Sequence, residues 1–307
     1  VTSAQLLTED FNYPAGQLIT ANGWTAHSAG GTNPITVTAP GLTYTGHPGS
    51  GVGNAVTMTT SGEDDNKAFT AITSGSAYFS FLVNVTSATV TGDYFIGLLQ
   101  SNTVFPLRLY AKSDGATGFF FGISKSSSAV VYETTSRSFG TTYFIVANYV
   151  FNTATTTDDV VNLWVNPALG GTETTGTLAN VTGTSTDNTS NAGVYLRQGT
   201  AANASVQRVD AILAGTTWAQ VTPSAGSSPT LSASALPSFG SVCVNTTTAP
   251  NSFTITGTNL TTANVTVGAL TGFTYSTTAG GTYTGSLNLT QTGGTYSQDI
   301  FVKFTPT

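Results

Sequence analysis

The groups able to do acid–base or nucleophilic chemistry are few: 14 Asp and Glu, eight Lys and Arg, two His and one Cys in 307 residues. Glycoside hydrolysis on a β-sandwich needs two carboxylates set across a cleft. The densest acidic run, Glu63-Asp64-Asp65, is contiguous, and neighbours on a strand point to opposite faces. It reads as a loop cluster, either solvated surface or a cation site. His27 and His47 lie in Gly/Ser/Pro-rich stretches with no acid beside them and no G-x-S-x-G context, so both read as loop surface. One cysteine and two histidines do not furnish a zinc site. "GSGVGN", with Gly49, Gly51 and Gly53, lacks the strand–helix frame of a phosphate loop. On these grounds the expectation is a protein that is not an enzyme.

Two other residue types deserve the same question. Cys243, between two valines in "FGSVCVN", reads as a buried small hydrophobe and offers no disulfide partner. Trp24, Trp164 and Trp218 each sit beside alternating apolar residues. That setting favours core or rim packing over a platform for sugar rings.

Composition limits the partners. Charged residues make up 7% of the chain, against roughly 25% in an ordinary soluble protein. The net charge of −6, with no basic stripe, argues against nucleic acid. No apolar run reaches the ~18 residues of a membrane-spanning helix. The opening "VTSAQLLTEDF" has neither a charged nor an apolar leader segment, and "TSAQ" resembles the tail of a small-residue cleavage site. The inference is a secreted or cell-surface protein.

The elements that must position any site are strands. "AYFSFLVNV", "FPLRLYA", "GFFFGIS", "YFIVANYVF", "VVNLWVN" and "VQRVDAIL" are short apolar or alternating segments cut by Gly, Pro, Asn and Asp. About a dozen of them precede residue 221, the pattern of an all-β sandwich or barrel. "TPSAGSSP", residues 222–229, reads as a linker. A second set, including "SFTITG", "SLNLT" and "DIFVKF", then spans 230–307.

"LLTEDFNYPAGQLITANGWTAHSAGGTNPITV", "SGEDDNKAF", "TTTDDVVNLWVNP" and "LRQGTAANASVQRVDAILAGTTWAQV" resemble an N-terminal module of secreted Bacteroidota-type proteins. That resemblance implies a concanavalin-A-like (laminin-G-like) jelly roll over residues 1–221. Residues 230–307 resemble Ig-like repeats of the ASPM/SPD-2/Hydin kind, which implies a smaller β-sandwich. Modules similar to the first often hold a structural Ca²⁺ between the first strand and the last. The resemblance therefore implies calcium at Glu9, Asp10 and Asp210; the alternative is that Glu9 and Asp10 face water at a sheet edge. Asp158 and Asp159 in "TTTDDV" are a weaker cation candidate, better read as a hairpin tip.

In the Ig-like repeats a glycine-rich turn and two more strands follow "FTPT", and the last segment here is shorter than the ~100 residues of such a domain. An incomplete sandwich would expose an edge at Ile300, Val302 and Phe304, a template for an added strand. Val1, Thr2, Ser3, Ala4, Gln5 and Leu6, uncharged and free of Gly and Pro, would be the donor from another copy. The resulting expectation is a non-enzymatic structural or adhesive subunit, a homo-oligomer or fibre joined by strand complementation. The alternative is a glycan-binding module of a larger surface protein.

Overall fold

The computed structural model describes residues 5–224, 230–260, 263–291 and 294–307. It divides into two compact units, Val1–Ser224 and Ala225–Thr307. Strands dominate both, and among the described residues no helix is long and apolar enough to cross a membrane.

The first unit opens with β1 (Leu7–Glu9), β2 (Thr25–Ser28), β3 (Thr36–Thr38), β4 (Ala55–Met58) and β5 (Asp64–Ile72). Next come β6 (Ser76–Ser87), β7 (Asp93–Leu99), β8 (Leu107–Ser113), β9 (Gly118–Lys125), β10 (Val131–Tyr132) and β11 (Arg137–Ser138). It closes with β12 (Thr142–Val150), β13 (Val160–Val165), β14 (Leu178–Val181), β15 (Asn191–Leu196) and β16 (Val206–Gly215). A single helical turn, α1 (Trp218–Val221), follows. Two eight-stranded antiparallel sheets result. The first runs β14-β13-β12-β6-β16-β4-β3 with β1 also on β16; the second runs β10-β9-β8-β7-β15-β5-β2 with β11 on β9. This is a jelly-roll β-sandwich, and the all-β expectation holds.

The two sheets differ in what covers their outer faces. Phe79, Phe81, Val83 and Val85 of β6 point inward and meet Leu107, Leu109, Phe119, Phe121 and Val194 of the second sheet. The other face of the first sheet is also apolar. Tyr78, Leu82, Phe144, Val146 and Trp164 lie under Leu42, Trp218 and Val221. Continuous apolar runs such as "YFIVANYVF" arise from this double burial. The second sheet instead alternates: in "LRLYAKS", Leu107, Leu109 and Ala111 are fully buried while Arg108, Tyr110 and Lys112 face outward. Its outer face is the less covered of the two: Arg108 and Lys112 are partly exposed there, while Tyr110 and Tyr195 are buried.

The second unit contains β17 (Thr230–Ala233), β18 (Asn251–Leu260), β19 (Val265–Val267), β20 (Phe273–Ser276), β21 (Leu287–Leu289) and β22 (Gly294–Phe304). These form a four-stranded sheet, β17-β18-β22-β20, and a two-stranded sheet, β19-β21. Ile255, Val265, Tyr275, Leu289, Ile300 and Val302 make its core.

The strand-addition expectation fails here on geometry. β22 pairs with β18 on one side and, over residues 301–304, with β20 on the other, so the stretch that carries Val302 and Phe304 is flanked on both sides. Ile300 and Val302 are core residues and Phe304 stacks on Phe273 at 4.7 Å. The proposed donor is also engaged within its own unit. Gln5 Nε2 donates to the Gln220 carbonyl at 2.6 Å, the Leu6 N–H donates to the Ala214 carbonyl at 2.9 Å, and Leu6 packs on the core. Val1, Thr2, Ser3 and Ala4 lie outside the described residues. Cys243, expected in a core, is exposed; alternating valines do not bury a residue that lies outside any strand.

Phe81 sits at the centre of the first unit's core, stacked on Phe79 and edge-on to Phe95. Phe81→Ala should cost about 3–5 kcal/mol, read as a lowered denaturation midpoint with an unchanged slope. A smaller loss than the Ile→Val class of change would mean the sheets do not pack as described.

Candidate functional site

Outward-facing side chains of β2, β5, β7, β8 and β15 converge on one end of the open face. Register places them. Tyr195 on β15 lies opposite Asn66 on β5 and Gly97 on β7; Asn66 lies opposite Thr25 on β2. Gly97 is there because the space is full: a Cβ would meet the Leu107 carbonyl oxygen and come within 2.8 Å of the Tyr195 hydroxyl. With no side chain at 97, there is room for the Tyr195 hydroxyl, and the fully buried Tyr195 ring makes a floor beneath the lining residues. Phe105 packs on it at 4.6 Å, Tyr94 at 6.1 Å and His27 at 6.4 Å between ring centroids.

Above this floor is a cavity of 630 Å³ lined by His27, Asp64, Tyr94, Asn102, Phe105 and Arg197, among others. Tyr94 lies between two guanidinium groups. Arg197 Cζ is 4.0 Å from its ring centroid and Arg108 Cζ 4.8 Å, both within cation–π range. The two arginines differ in electrostatics. Arg197 is paired with Asp93 at 2.9 Å and donates to the Tyr94 carbonyl at 3.2 Å. Arg108 forms no salt bridge among the described residues, and its Nε is buried without a hydrogen-bond partner. In a chain of net charge −6, an unpaired, half-buried guanidinium is a strong attractor for an anion.

His27, expected on a loop, belongs to β2 and is half-buried against Phe105 and Tyr195. Its Nδ1 lies 3.2 Å from Asn66 Nδ2, and its Nε2 is buried with no partner. Burial, and next the charge of Arg197, lower its pKa to about 4. The ring is neutral at pH 7. With the Asn66 amide donating to Nδ1, Nε2 carries the proton and is a free donor.

The acidic run Glu63-Asp64-Asp65 is not a solvated loop: all three residues are buried, and Asp64 and Asp65 begin β5. Asp64 accepts the Gln198 N–H at 2.8 Å on the rim of the cavity. Asp65 points the other way, and burial followed by Glu63 pushes its pKa up to about 7.

The residues expected to hold calcium separate into two groups. Glu9 is saturated by protein donors: the Phe11 N–H at 2.9 Å, Trp24 Nε1 and Tyr13 OH each at 3.1 Å, and the Lys67 ammonium. It therefore ties β1 to β5 instead of offering oxygen to an ion. Asp10 and Asp210 do lie together, close enough for the charge of Asp10 to act on Asp210. Burial, with Asp10 contributing, pushes Asp210 to about 7; burial and then Glu9 raise Asp10. His47 is buried against Phe144 beside them, not on a loop surface, and its Nδ1 accepts the Gly49 N–H at 3.1 Å.

Asp158, Asp159 and Asp187 form a cluster whose carboxylate oxygens lie within 4.8 Å of one another and could hold a metal ion. Sequence reasoning found the first two but not Asp187. A cation is already present: the fully buried Lys125 ammonium donates to Asp187 at 2.6 Å and to the Thr157 carbonyl at 2.8 Å. Tyr149 OH and the Asn152 N–H each donate to Asp159 at 2.5 Å.

The three tryptophans are buried. The aromatic surface of the site comes from Tyr94 and Phe105, half-exposed residues that a search confined to tryptophan passes over. Gly97, Arg108 and Asn66 were likewise missed, since nothing in their local sequence marks them.

No family model matches the chain, and no curated protein matches it. Solved structures do. An alginate lyase in complex with an alginate trisaccharide covers 69% of this chain and 98% of its own, at 11% identity and a TM-score of 0.43. An endo-β-1,4-glucuronan lyase from Trichoderma reesei covers 72% and 99%, at 12% identity and 0.41. The cellulose-induced protein Cip1 covers 69% and 97%, at 18% identity and 0.40. The likeness is one of fold. It nevertheless corrects the expectation of a non-enzymatic structural or adhesive fibre subunit, since two of these similar structures are lyases.

The lowered pKa of His27 has a testable sign. Its neutral ring contributes stability that is complete above the unfolded value of 6.5 and is lost as pH falls through about 4. NMR titration should place the His27 transition near 4, and His27→Gln should flatten the fall in stability between pH 6.5 and 4. A ring titrating at its ordinary value would show that the pocket is open to water.

Proposed function

We propose that the first unit binds an anionic polysaccharide on the outer face of its second sheet. The observation that carries this reading is Arg108: a half-buried guanidinium without a salt bridge, with an orphaned Nε, beside the Tyr94 and Phe105 rings. Aromatic faces suit the C–H surface of a sugar ring, and a guanidinium suits its carboxylate or sulfate. The cavity adjoins this group through Tyr94 and Phe105, which line it together with Asn102 and His27, two further polar side chains for hydroxyls. A glycan ligand of this kind also accords with a secreted or surface location.

Turnover of the bound sugar is a second reading, favoured by the neutral His27. A guanidinium that neutralises a uronate carboxylate makes the adjacent C–H more acidic; elimination then breaks that C–H and the neighbouring C–O linkage, forms a C=C bond, and needs a base that takes the proton and returns it to the leaving oxygen. His27 Nε2 becomes that base if the Asn66 amide turns to accept an Nδ1–H, at the cost of its 3.1 Å bond to the Thr25 carbonyl. The test is calorimetric titration with uronate and neutral oligosaccharides, with the same mixtures followed for the ultraviolet absorbance of unsaturated uronate. Uronate should bind with an affinity that falls as salt rises. Arg108→Gln should weaken it about 10- to 100-fold, the loss of one charge-assisted contact. Equal binding of neutral and anionic sugars would sink the proposal; absorbance growth abolished by His27→Ala would establish the second reading.

We also propose that a calcium ion held by Asp10 and Asp210 joins the ends of the first unit's chain. The donor set fits a hard cation. A Cβ built on Gly41 would sit 3.0 Å from Asp210 Oδ2, 3.1 Å from the Gly53 carbonyl oxygen and 3.2 Å from that of Val52. One built on Gly49 would sit 3.0 Å from Asp10 Oδ1. Chelator should lower the melting temperature of wild type by mass action and leave Asp210→Asn unmoved. Identical melting of wild type with and without chelator would remove the ion from the account.

A further inference from the structure

The open face carries a second feature at a distance from the cavity. Tyr94 on β7 lies opposite Tyr110 on β8, Tyr110 opposite Gly122 on β9, and Gly122 opposite Tyr132 on β10. The four positions form one straight row across the sheet. Rings follow it without a break: Tyr94 to Tyr110 is 5.6 Å and Tyr110 to Tyr132 is 6.3 Å between centroids.

Gly122 makes the row possible. A Cβ there would come within 2.5 Å of Tyr132 Cδ1 and 2.7 Å of its Cε1. The Tyr132 ring therefore lies down over the glycine and fills the gap beside Tyr110. Lys112, two residues beyond Tyr110 on the same face of β8, places its ammonium 5.1 Å from the Tyr132 centroid. Like Arg108 it forms no salt bridge among the described residues. Four of the chain's eight cations form no salt bridge among the described residues, and two of those four, Arg108 and Lys112, stand on one strand face with a tyrosine between them.

We infer that Lys112 and Tyr132 form a distal subsite for the same anionic chain, so that the ligand is a polymer and not a mono- or disaccharide. This rests on the reading of the cavity as an anionic-glycan site and extends it. Neighbouring strands are about 4.8 Å apart, so the row from Tyr94 to Tyr132 spans roughly 14 Å, and a chain lying along it passes about three sugars beyond the cavity. Each end offers the same pairing, an aromatic face with an adjacent unpaired cation: Tyr94 with Arg108, Tyr132 with Lys112. A single small sugar would use only one of them. The row crosses the strands at right angles, which sets the direction of the bound chain.

The experiment compares a dimer with a hexamer of a 1,4-linked uronic acid, with a sulfated neutral hexamer and an unmodified neutral hexamer as further arms. In wild type the uronate hexamer should bind at least 10-fold tighter than the dimer. Lys112→Gln and Tyr132→Ala should bring the hexamer down to the dimer's affinity and leave the dimer unchanged. Tyr132→Phe, which keeps the ring, should retain the hexamer preference. Gly122→Ala should act like Tyr132→Ala by lifting the ring. The sulfated hexamer tells whether charge alone or a carboxylate is read. Equal affinity of dimer and hexamer in wild type, or an equal loss for both in Lys112→Gln, overturns the distal subsite while the cavity reading stands. Failure of wild type to bind either uronate overturns both.

Discussion

Burial of Leu107, Leu109 and Ala111 between the two sheets determines what the open face of the first unit presents. A strand has no freedom in this respect: once alternate side chains go into the core, the intervening ones must point out. Arg108, Tyr110 and Lys112 are therefore held in line by apolar burial worth roughly 1.5–3 kcal/mol for each large side chain. Both cations and the ring between them are presented by a rigid strand flanked by β7 and β9. The opposite sheet cannot serve in this way, because Leu42, Trp218 and Val221 cover its outer face. The asymmetry between the sheets is what leaves one ligand surface and not two.

Scarcity of charge gives the placement of each cation its weight. Lys67, Lys125, Arg137 and Arg197 are each paired with a carboxylate. Lys125 and Glu9 are the extreme cases, one fully buried and the other nearly so. Stranding either partner of such a pair in the interior would be costly, so these pairs are fixed structural ties. Arg208 donates to the carbonyls of Thr38 and Pro40. The open face thus keeps two cations whose charge is not already answered within the protein.

The strands and their approximate limits were legible in the sequence because period-2 alternation and turn residues are local signals. The site was not, because it is assembled across strands. His27, Asn66, Tyr94, Arg108 and Arg197 come from five places in the chain and meet only through register. His27 illustrates the loss of information: "TAHSAGG" has the composition of a loop, yet its first residues pair with β5. Glu63-Asp64-Asp65 misleads in the same way, since strand edges can bury carboxylates that local composition assigns to solvent. The second unit carries a different lesson. β22 ends the sequence but lies inside its sheet between β18 and β20, so order in the chain is no guide to which strand is an edge. Of Glu9, Asp10 and Asp210, the three that the resemblance implies as calcium ligands, Glu9 is the one whose partners the sequence did not show: Trp24 and Lys67 reach it from other parts of the chain.

Two glycines complete the argument about the open face. A glycine in the interior of a sheet weakens it, through lost side-chain packing and a more flexible unfolded chain. Gly97 and Gly122 both occupy central strands of the second sheet, and each lies beneath an aromatic ring that a methyl group would displace. Tyr195, whose hydroxyl lies over Gly97, supports the rings that line the cavity; Tyr132 over Gly122 ends the row. Covering a glycine with a cross-strand ring recovers part of the lost packing. Along the row the rings are inclined to one another, by 59° between Tyr94 and Tyr110 and by 73° between Tyr110 and Tyr132. A β-branched residue, the usual choice for a central strand, fits at neither position, because its Cβ would strike the Leu107 carbonyl at 97 and the Tyr132 ring at 122. The same two positions that weaken the sheet are the ones that leave room for a tyrosine on its outer face.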